Sequence, residues 1–340
     1  MGLTYPGFQH GGDVFAVANR RGIPWQQIID FSASINPLGP SARVKEAIVS
    51  SLDRIAHYPS IDSSDLRCRL ALEWGIAREQ ILTGNGAVDL LRDFCACFGD
   101  GHLAVPVFTE LHRLWPNAMQ CNVANPETWP ERGTLVLTRP VNPTGYLIDA
   151  KFVIEYLRRS QTIVLVDESF IDFSTAGSLI RYTSEFSRLF VLRSLTKFHA
   201  IPGLRVGALA GHPDSIVRLS EMHQPWAVNA LAERAAMAAL DDREHAEATR
   251  QFVRQERAWF AQRIAAMPSV QVWPSEANYI YVEAPYASKL VEFAAERDIL
   301  IRDCTGWPGC EQSAVRLAVR PRWENERLLA VWKEFVCDCS

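Results

Sequence analysis

The sequence predicts an α/β fold: a large lobe built on a mostly parallel sheet with helices on both faces, and a smaller α+β lobe. Three observations lead there. Residues 134–138 and 162–166 are short, apolar, β-branched runs, the composition of strands buried on both faces. Residues 80–98 read as strand, glycine turn, helix. After Met222-His223-Gln224-Pro225-Trp226 the chain changes to Ala, Glu and Arg-rich helical sequence, then to short strands and helices in alternation. A chain of 340 residues exceeds one typical domain, which favours two lobes. The expected division is an N-terminal arm over residues 1–40, a large domain over 41–228 and a small domain over 229–340.

The elements follow in order. Helices are expected near 12–22 and 41–56, the second started by Pro40-Ser41. A helix over 66–74 stops at Gly75. A strand over 80–83 runs into Gly84-Asn85-Gly86, and residues 87–98 have helical apolar spacing. Residues 102–105 form the next strand, ahead of Pro106-Val107-Phe108. Two helices fill 229–267. Strands then fall near 270–273, 279–283, 299–302 and 314–319, with helices near 286–297 and at the end. No internal repeat is visible.

Composition removes several classes of function. Net charge is −4 with no basic block, which disfavours nucleic acid as a partner. The start of the sequence lacks a basic and apolar leader. No apolar run reaches the ~20 residues that cross a bilayer. The expected location is the cytoplasm. Eight cysteines are scattered, as reduced thiols are in a cytosolic protein. Cys95/Cys97 and Cys337/Cys339 are C-x-C pairs without zinc-ribbon spacing, and no metal site is expected.

The chemistry concentrates in Arg193-Ser194-Leu195-Thr196-Lys197-Phe198 and Gly203-Leu204-Arg205-Val206-Gly207. A lysine amine condenses with an aldehyde, while Ser194, Thr196 and Arg205 can hold a phosphate by charge-assisted hydrogen bonds. Pyridoxal phosphate is an aldehyde that carries a phosphate, and it takes a lysine together with an acidic partner for its ring nitrogen. Asp167, after the strand at 162–166, is placed to be that acid. Asn142 can donate to the cofactor's phenolic oxygen, although Asn142-Pro143-Thr144-Gly145 alone is only a turn signal. The turn ahead of residues 87–98 offers the backbone N–H groups of Gly86, Ala87 and Val88 to the phosphate. No third glycine completes a dinucleotide fingerprint there.

Together these residues resemble the fold-type I pyridoxal phosphate enzymes, the aspartate aminotransferase superfamily, over nearly the whole chain. Within it the chain is most similar to the threonine-phosphate decarboxylases of cobalamin biosynthesis, with the histidinol-phosphate aminotransferases next. The narrower likeness is carried by His10-Gly11-Gly12-Asp13, by the run from Asp30 to Pro40, by Val166 to Phe173 and by Arg193 to Gly207. Val315 to Arg320 and Glu324 to Leu329 complete it.

The resemblance implies the fold-type I transferase fold and several further roles. Phe108 stacks on the cofactor ring. Tyr58 reaches the cofactor phosphate of the other subunit, making the active unit a homodimer. Arg316 grips the anionic end of a small phosphorylated amino acid. Arg320, four residues on, either assists or closes the strand before Pro321. His10, Gly11 and Asn36 belong to segments that fold over the substrate. Two departures stand out. Ala87 and Val88 carry no hydroxyl where the family often has one, and Phe170 stands where the aminotransferase branch has a tyrosine.

The implied reaction is decarboxylation of L-threonine O-3-phosphate to (R)-1-amino-2-propanol phosphate. The alternative is a histidinol-phosphate or aromatic aminotransferase. A non-catalytic binding protein of the same fold would not need Lys197. The residues leave decarboxylation and transamination open, because the two differ only in which Cα bond stands perpendicular to the ring.

Overall fold

The computed structural model describes residues 11–99 and 101–338. Alternation of strand and helix begins with α1 (Val14–Arg21), β1 (Ile29–Asp30), α2 (Ala42–Val49) and α3 (Ser64–Trp74). It continues through β2 (Ile81–Gly84), α4 (Ala87–Phe98), β3 (Gly101–Val105), α5 (Glu110–Leu114), β4 (Met119–Asn122) and β5 (Thr134–Thr138). Next come α6 (Ala150–Arg159), β6 (Ile163–Asp167), β7 (Leu189–Ser194), α7 (Leu195–Phe198), β8 (Gly207–Ala210) and α8 (Pro213–Ser220). The chain finishes with α9 (Ala230–Leu240), α10 (Arg243–Ile264), β9 (Gln271–Val272), β10 (Tyr279–Glu283) and α11 (Ala287–Ala295), then β11 (Ile299–Leu300), β12 (Arg302–Asp303), β13 (Ala314–Ala318) and α12 (Arg322–Asp338).

Seven strands form the large sheet in the order β2-β8-β7-β6-β5-β3-β4. β3 through β7 run parallel to one another, and β8 is antiparallel to both β7 and β2. β5 and β7 are buried along their whole length, and β6 along all but its first residue, which is why they read as continuous apolar runs. Register then places the site. Thr138 pairs with Asp167, Asp167 with Leu192, and Ser194 with Gly207. The polar residues at the carboxyl ends of three adjacent strands therefore gather at one edge, where α/β sheets bind ligands.

A second sheet, β12-β13-β10-β9, is antiparallel and backs onto α10, α11 and α12 through a core that includes Phe260, Leu290 and Trp332. Phe31 is fully buried in that core, and β1 pairs in parallel with β11. Part of the expected N-terminal arm is thus a component of the small lobe. The expected boundary at 228 also shifts. The alanine face of α9 packs with Val44, Leu66, Leu70 and Ile81 of the large lobe, so the small lobe begins with α10.

Two expected elements are broken. The helix expected over 41–56 starts as anticipated, with Ser41 Oγ accepting from Val44 N–H at 3.3 Å. It ends at Val49, where Ser50 Oγ bonds back to the Ala47 carbonyl and competes with the helical ladder. A separate 3-10 turn covers Leu52–Ala56. The strand expected over 299–302 divides into β11 and β12, because Ile301 turns into the core between two different sheets. β4 escaped the sequence reading because it is an edge strand with one buried residue, Cys121. Cys95 is buried and Cys337 exposed, while Cys339 lies outside the described residues. Among the described residues no helix is long and apolar enough to cross a membrane.

Candidate active site

A cavity of about 770 Å³ opens at the carboxyl ends of β5, β6 and β7 and is closed on its far side by Gly11, Ser32–Ile35 and Arg316. Lys197 stands in it, on the short helix α7. Burial pushes its amine down to about 8, helped by the positive charges of Arg205 and Arg316 and opposed by Asp167. A lysine poised there has a substantial neutral fraction near neutrality and can act as a nucleophile. Asp167 reaches the same cavity from the end of β6. Burial raises its pKa, and hydrogen bonds from the Ser169 side chain and backbone, with the charge of Lys197, oppose that.

The anion cup lies beside Lys197. Arg205 has a left-handed backbone, φ 58, uncommon for a residue with a Cβ. Its guanidinium lies so close to Gly86, itself at φ 81, that a Cβ on Gly86 would overlap Arg205 Nη2. Gly207 packs equally tightly against Gly86 and the Ala87 nitrogen. Two chain segments thus meet with no room for a Cβ at Gly86 or Gly207, and they bring Arg205 to the N-terminus of α4. Ser194 and Thr196 share a 2.7 Å hydrogen bond between their hydroxyls at the cavity wall. Ala87 and Val88 also line it. In place of the missing hydroxyl there, backbone N–H groups and the dipole of α4 face an anion.

At the opposite end Arg316, on β13, donates from Nη1 to Asn142 Oδ1 at 2.6 Å and from Nη2 to the Ser32 carbonyl at 2.9 Å. Its guanidinium stacks 5.2 Å from the Tyr279 ring centre. Arg302 pairs with Arg316 in register and is also buried. Burial and then the like charge of Arg316 push it down to about 10. Its guanidinium lies 4.8 Å from the Trp307 ring centre, and of the two arginines Arg316 is the one on the cavity wall, where it favours an anionic ligand.

Of the expected residues, the cavity wall brings together Gly11, Ala87, Val88, Phe108, Asn142, Asp167, Phe170, Ser194, Thr196, Lys197, Arg205 and Arg316. Gly86 stands directly behind, against Arg205. Phe170 packs edge-on to Tyr279 with ring centres 5.0 Å apart. The Tyr279 hydroxyl is committed to the Val141 carbonyl at 3.0 Å, so neither ring brings a phenol to the cofactor side.

Three described residues fall elsewhere. Asn36 is fully engaged beneath the site. Its N–H donates to the Lys197 carbonyl at 3.0 Å, and its Nδ2 to Phe198 O at 2.8 Å and Thr249 Oγ1 at 2.9 Å. It holds the lysine's turn and does not line the cavity. Arg320 pairs with Glu324 at 2.7 Å and closes the strand. Tyr58 is 84% exposed and stacks on Trp226, away from its own chain's cavity. His10 lies outside the described residues.

Sequence reading missed Ser34, Thr109, Thr138 and Ser169, and Glu110, His112 and Arg113 of α5, all on the wall. Asp-x-Ser at 167–169 was a readable signal for Ser169, since an aspartate accepts from the residue two places on. Thr138 could be found only from strand register.

Pyridoxal phosphate fits this cavity. The cup of Gly86, Gly207 and Arg205 suits a phosphate, and Lys197 and Asp167 suit an aldehyde and a pyridine nitrogen. Ser34 Oγ, Thr138 Oγ1 and Arg316 Nε are buried with no hydrogen-bond partner among the described residues, the condition of polar groups built to meet a ligand.

Comparison with known proteins agrees with this geometry. The family model for aminotransferase class I and II matches residues 110–331. The chain is 34% identical to the threonine-phosphate decarboxylase of Salmonella typhimurium over 94% of each chain. It is 26% identical to an adenosylcobalamin biosynthesis bifunctional protein of Leptospira interrogans, over 94% of this chain and 40% of that protein. The histidinol-phosphate aminotransferase of Sinorhizobium meliloti, solved with pyridoxal-5'-phosphate, superposes with a TM-score of 0.85 at 18% identity, covering 99% of this chain and 100% of that one. The chain belongs to the class I and II aminotransferase family.

Proposed function

We propose that this member of the class I and II aminotransferase family is a pyridoxal phosphate-dependent decarboxylase. Its substrate is L-threonine O-3-phosphate and its products are carbon dioxide and (R)-1-amino-2-propanol phosphate, made in cobalamin biosynthesis. The observation that carries the reading is one cavity whose wall holds Lys197, Asp167 and Arg205 together with the buried Arg316. The 34% identity to a threonine-phosphate decarboxylase supports it. The absence of a phenol at Phe170 favours the same branch over the aminotransferases.

When bound, the cofactor supplies an electron sink for the pair left behind as the carboxylate departs. The protein does the rest. Lys197 holds the cofactor until substrate arrives and then, with its amine free, returns a proton to Cα. A pKa near 8 suits both tasks. Asp167 holds a proton on the ring nitrogen. Asn142 would donate to the phenolic oxygen, and Phe108 would cover the ring. Gly86, Ala87, Val88, Ser194, Thr196 and Arg205 hold the cofactor phosphate. Arg316, with Gly11 and the segment from Ser32, would bind and orient the substrate's anions. A displacement of an ångström there can change which bond breaks.

The active unit is a homodimer in this reading, with Tyr58 completing the partner's phosphate site. The supporting observation is an exposed apolar surface around it: Leu52, Ile55, Tyr58, Ile61 and Trp226. Exposed apolar area of this kind marks association surfaces. Residence in the cytoplasm belongs to the same reading. The test is product analysis from threonine phosphate with and without α-ketoglutarate. Carbon dioxide should appear in both cases. Glutamate forming faster than carbon dioxide would assign the chain to the aminotransferases.

A further inference from the structure

We propose that Ser169 is the positioning residue for the ring-nitrogen end of the site, fixing the carboxylate of Asp167 so that one oxygen stays directed at the cofactor. The proposal rests on the pyridoxal phosphate reading above.

Ser169 donates twice to the same atom. Its N–H reaches Asp167 Oδ1 at 2.9 Å and its hydroxyl reaches it at 2.5 Å. Two donors on one oxygen stop the carboxylate from rotating and leave Oδ2 for the cavity. Ser169 itself forms part of the cavity wall. Along an extended segment alternate residues share a face, so Asp167 and Ser169 face the site while Glu168 turns away. Glu168 is occupied there by Arg139 at 3.0 Å, by Ser178 and by Leu179 N–H at 3.0 Å, and it cannot substitute.

The need for such a group follows from the burial of Asp167, 5% exposed at the end of β6. Burial alone favours a neutral carboxyl, and a neutral carboxyl cannot hold a proton on a pyridine nitrogen. Lys197 offsets part of the burial, and Glu168 works against it. The hydrogen bonds from Ser169 supply the remaining support for the ionised form.

The experiment compares wild type, Ser169→Ala and Ser169→Thr as holoenzymes. Alanine removes the hydroxyl and keeps the backbone donor, while threonine keeps both. The first readout is the pH midpoint of the bound cofactor's visible absorption. A ring nitrogen held less firmly as a cation leaves the nitrogen shared with Lys197 more basic. The midpoint should therefore rise by about half a pH unit or more in Ser169→Ala and return with Ser169→Thr. The second readout is kinetic: kcat should fall about tenfold in Ser169→Ala while KM changes less than about twofold. Cofactor retention on dialysis should be unchanged, since the phosphate contacts are intact. A yellow wild type with the same midpoint in Ser169→Ala overturns the proposal alone. A wild type that takes up no pyridoxal phosphate overturns the reading of the site, and this proposal with it.

Discussion

Arg316 donates to Asn142 Oδ1 at 2.6 Å, so a side chain of the small lobe fixes the orientation of an amide in the large one. With Oδ1 occupied, the Asn142 NH₂ group is left to the cavity. In the proposed reading, the residue that binds substrate would therefore also aim a donor at the cofactor.

Substitution should expose that double role. Arg316→Lys keeps the charge but cannot span both Asn142 and the Ser32 carbonyl, which accept from separate nitrogens. The expected loss in kcat/KM for threonine phosphate is about a hundredfold, the size of one or two charged hydrogen bonds. Cofactor retention should weaken too. Full retention with a change in KM alone would separate the two roles.

The cup behind Arg205 leaves no space. Gly86→Ala adds a Cβ at φ 81 against Arg205 Nη2. The guanidinium must move away, and affinity for pyridoxal phosphate should fall by about tenfold or more, as befits a lost charge-assisted contact. Equilibrium dialysis of the apoprotein measures this. Unchanged affinity would mean that Arg205 does not face the phosphate.

The lysine sets a pH dependence. Its pKa is lowered from 10.5 to about 8 by burial and by Arg205 and Arg316. Only the neutral amine reacts, so cofactor uptake by apoprotein should accelerate with pH and level off above about 8. An unperturbed lysine would keep accelerating towards 10.5. Removing a nearby cation stabilises the ammonium form, so Arg316→Gln should move the midpoint upward. Lys197→Ala should abolish turnover and the borohydride-fixed label, and a label on another lysine would overturn the assignment.

Tyr58 allows a test of shared sites. Tyr58→Phe and Lys197→Ala should each be impaired alone. Mixing them under conditions of subunit exchange creates dimers in which one site has both residues intact. Activity should rise on mixing, towards about a quarter of wild type for random exchange between equal amounts. No gain on mixing, with exchange verified by mass, would place Tyr58 outside the partner's site.

Much of this site was readable from sequence, because its cofactor end is built from local signals. Each of Asp167, Lys197 and Asn142 follows a strand that is apolar on both faces, and such strands announce themselves. Arg205 and Gly86 belong to turns with few permitted residues. The substrate end is different. Asn36 sits in a motif that resembles a binding segment, yet its amide is consumed by Phe198 and Thr249, and only the fold reveals that. Thr138 is brought to the wall by its register with Asp167. Pairing between distant strands leaves no mark in either strand alone. The division of the helix expected over 41–56 was hidden for a related reason: two serines carried the break, and serines are also tolerated in helices.

The pairing of β1 with β11 joins Ile29 to Ile299, and it bears on how the protein is made. During translation the segment carrying Gly11 and Ser32 to Ile35 emerges well before its partner strand, which lies on the far side of the large lobe in sequence. At ordinary elongation rates the wait is on the order of tens of seconds. The large lobe can assemble its sheet in that interval, but Phe31 has no core to enter until the small lobe exists. The nascent chain therefore holds an open half-site with an unburied aromatic beside it. That part of the cavity wall is synthesised ahead of the large lobe and put in place after it.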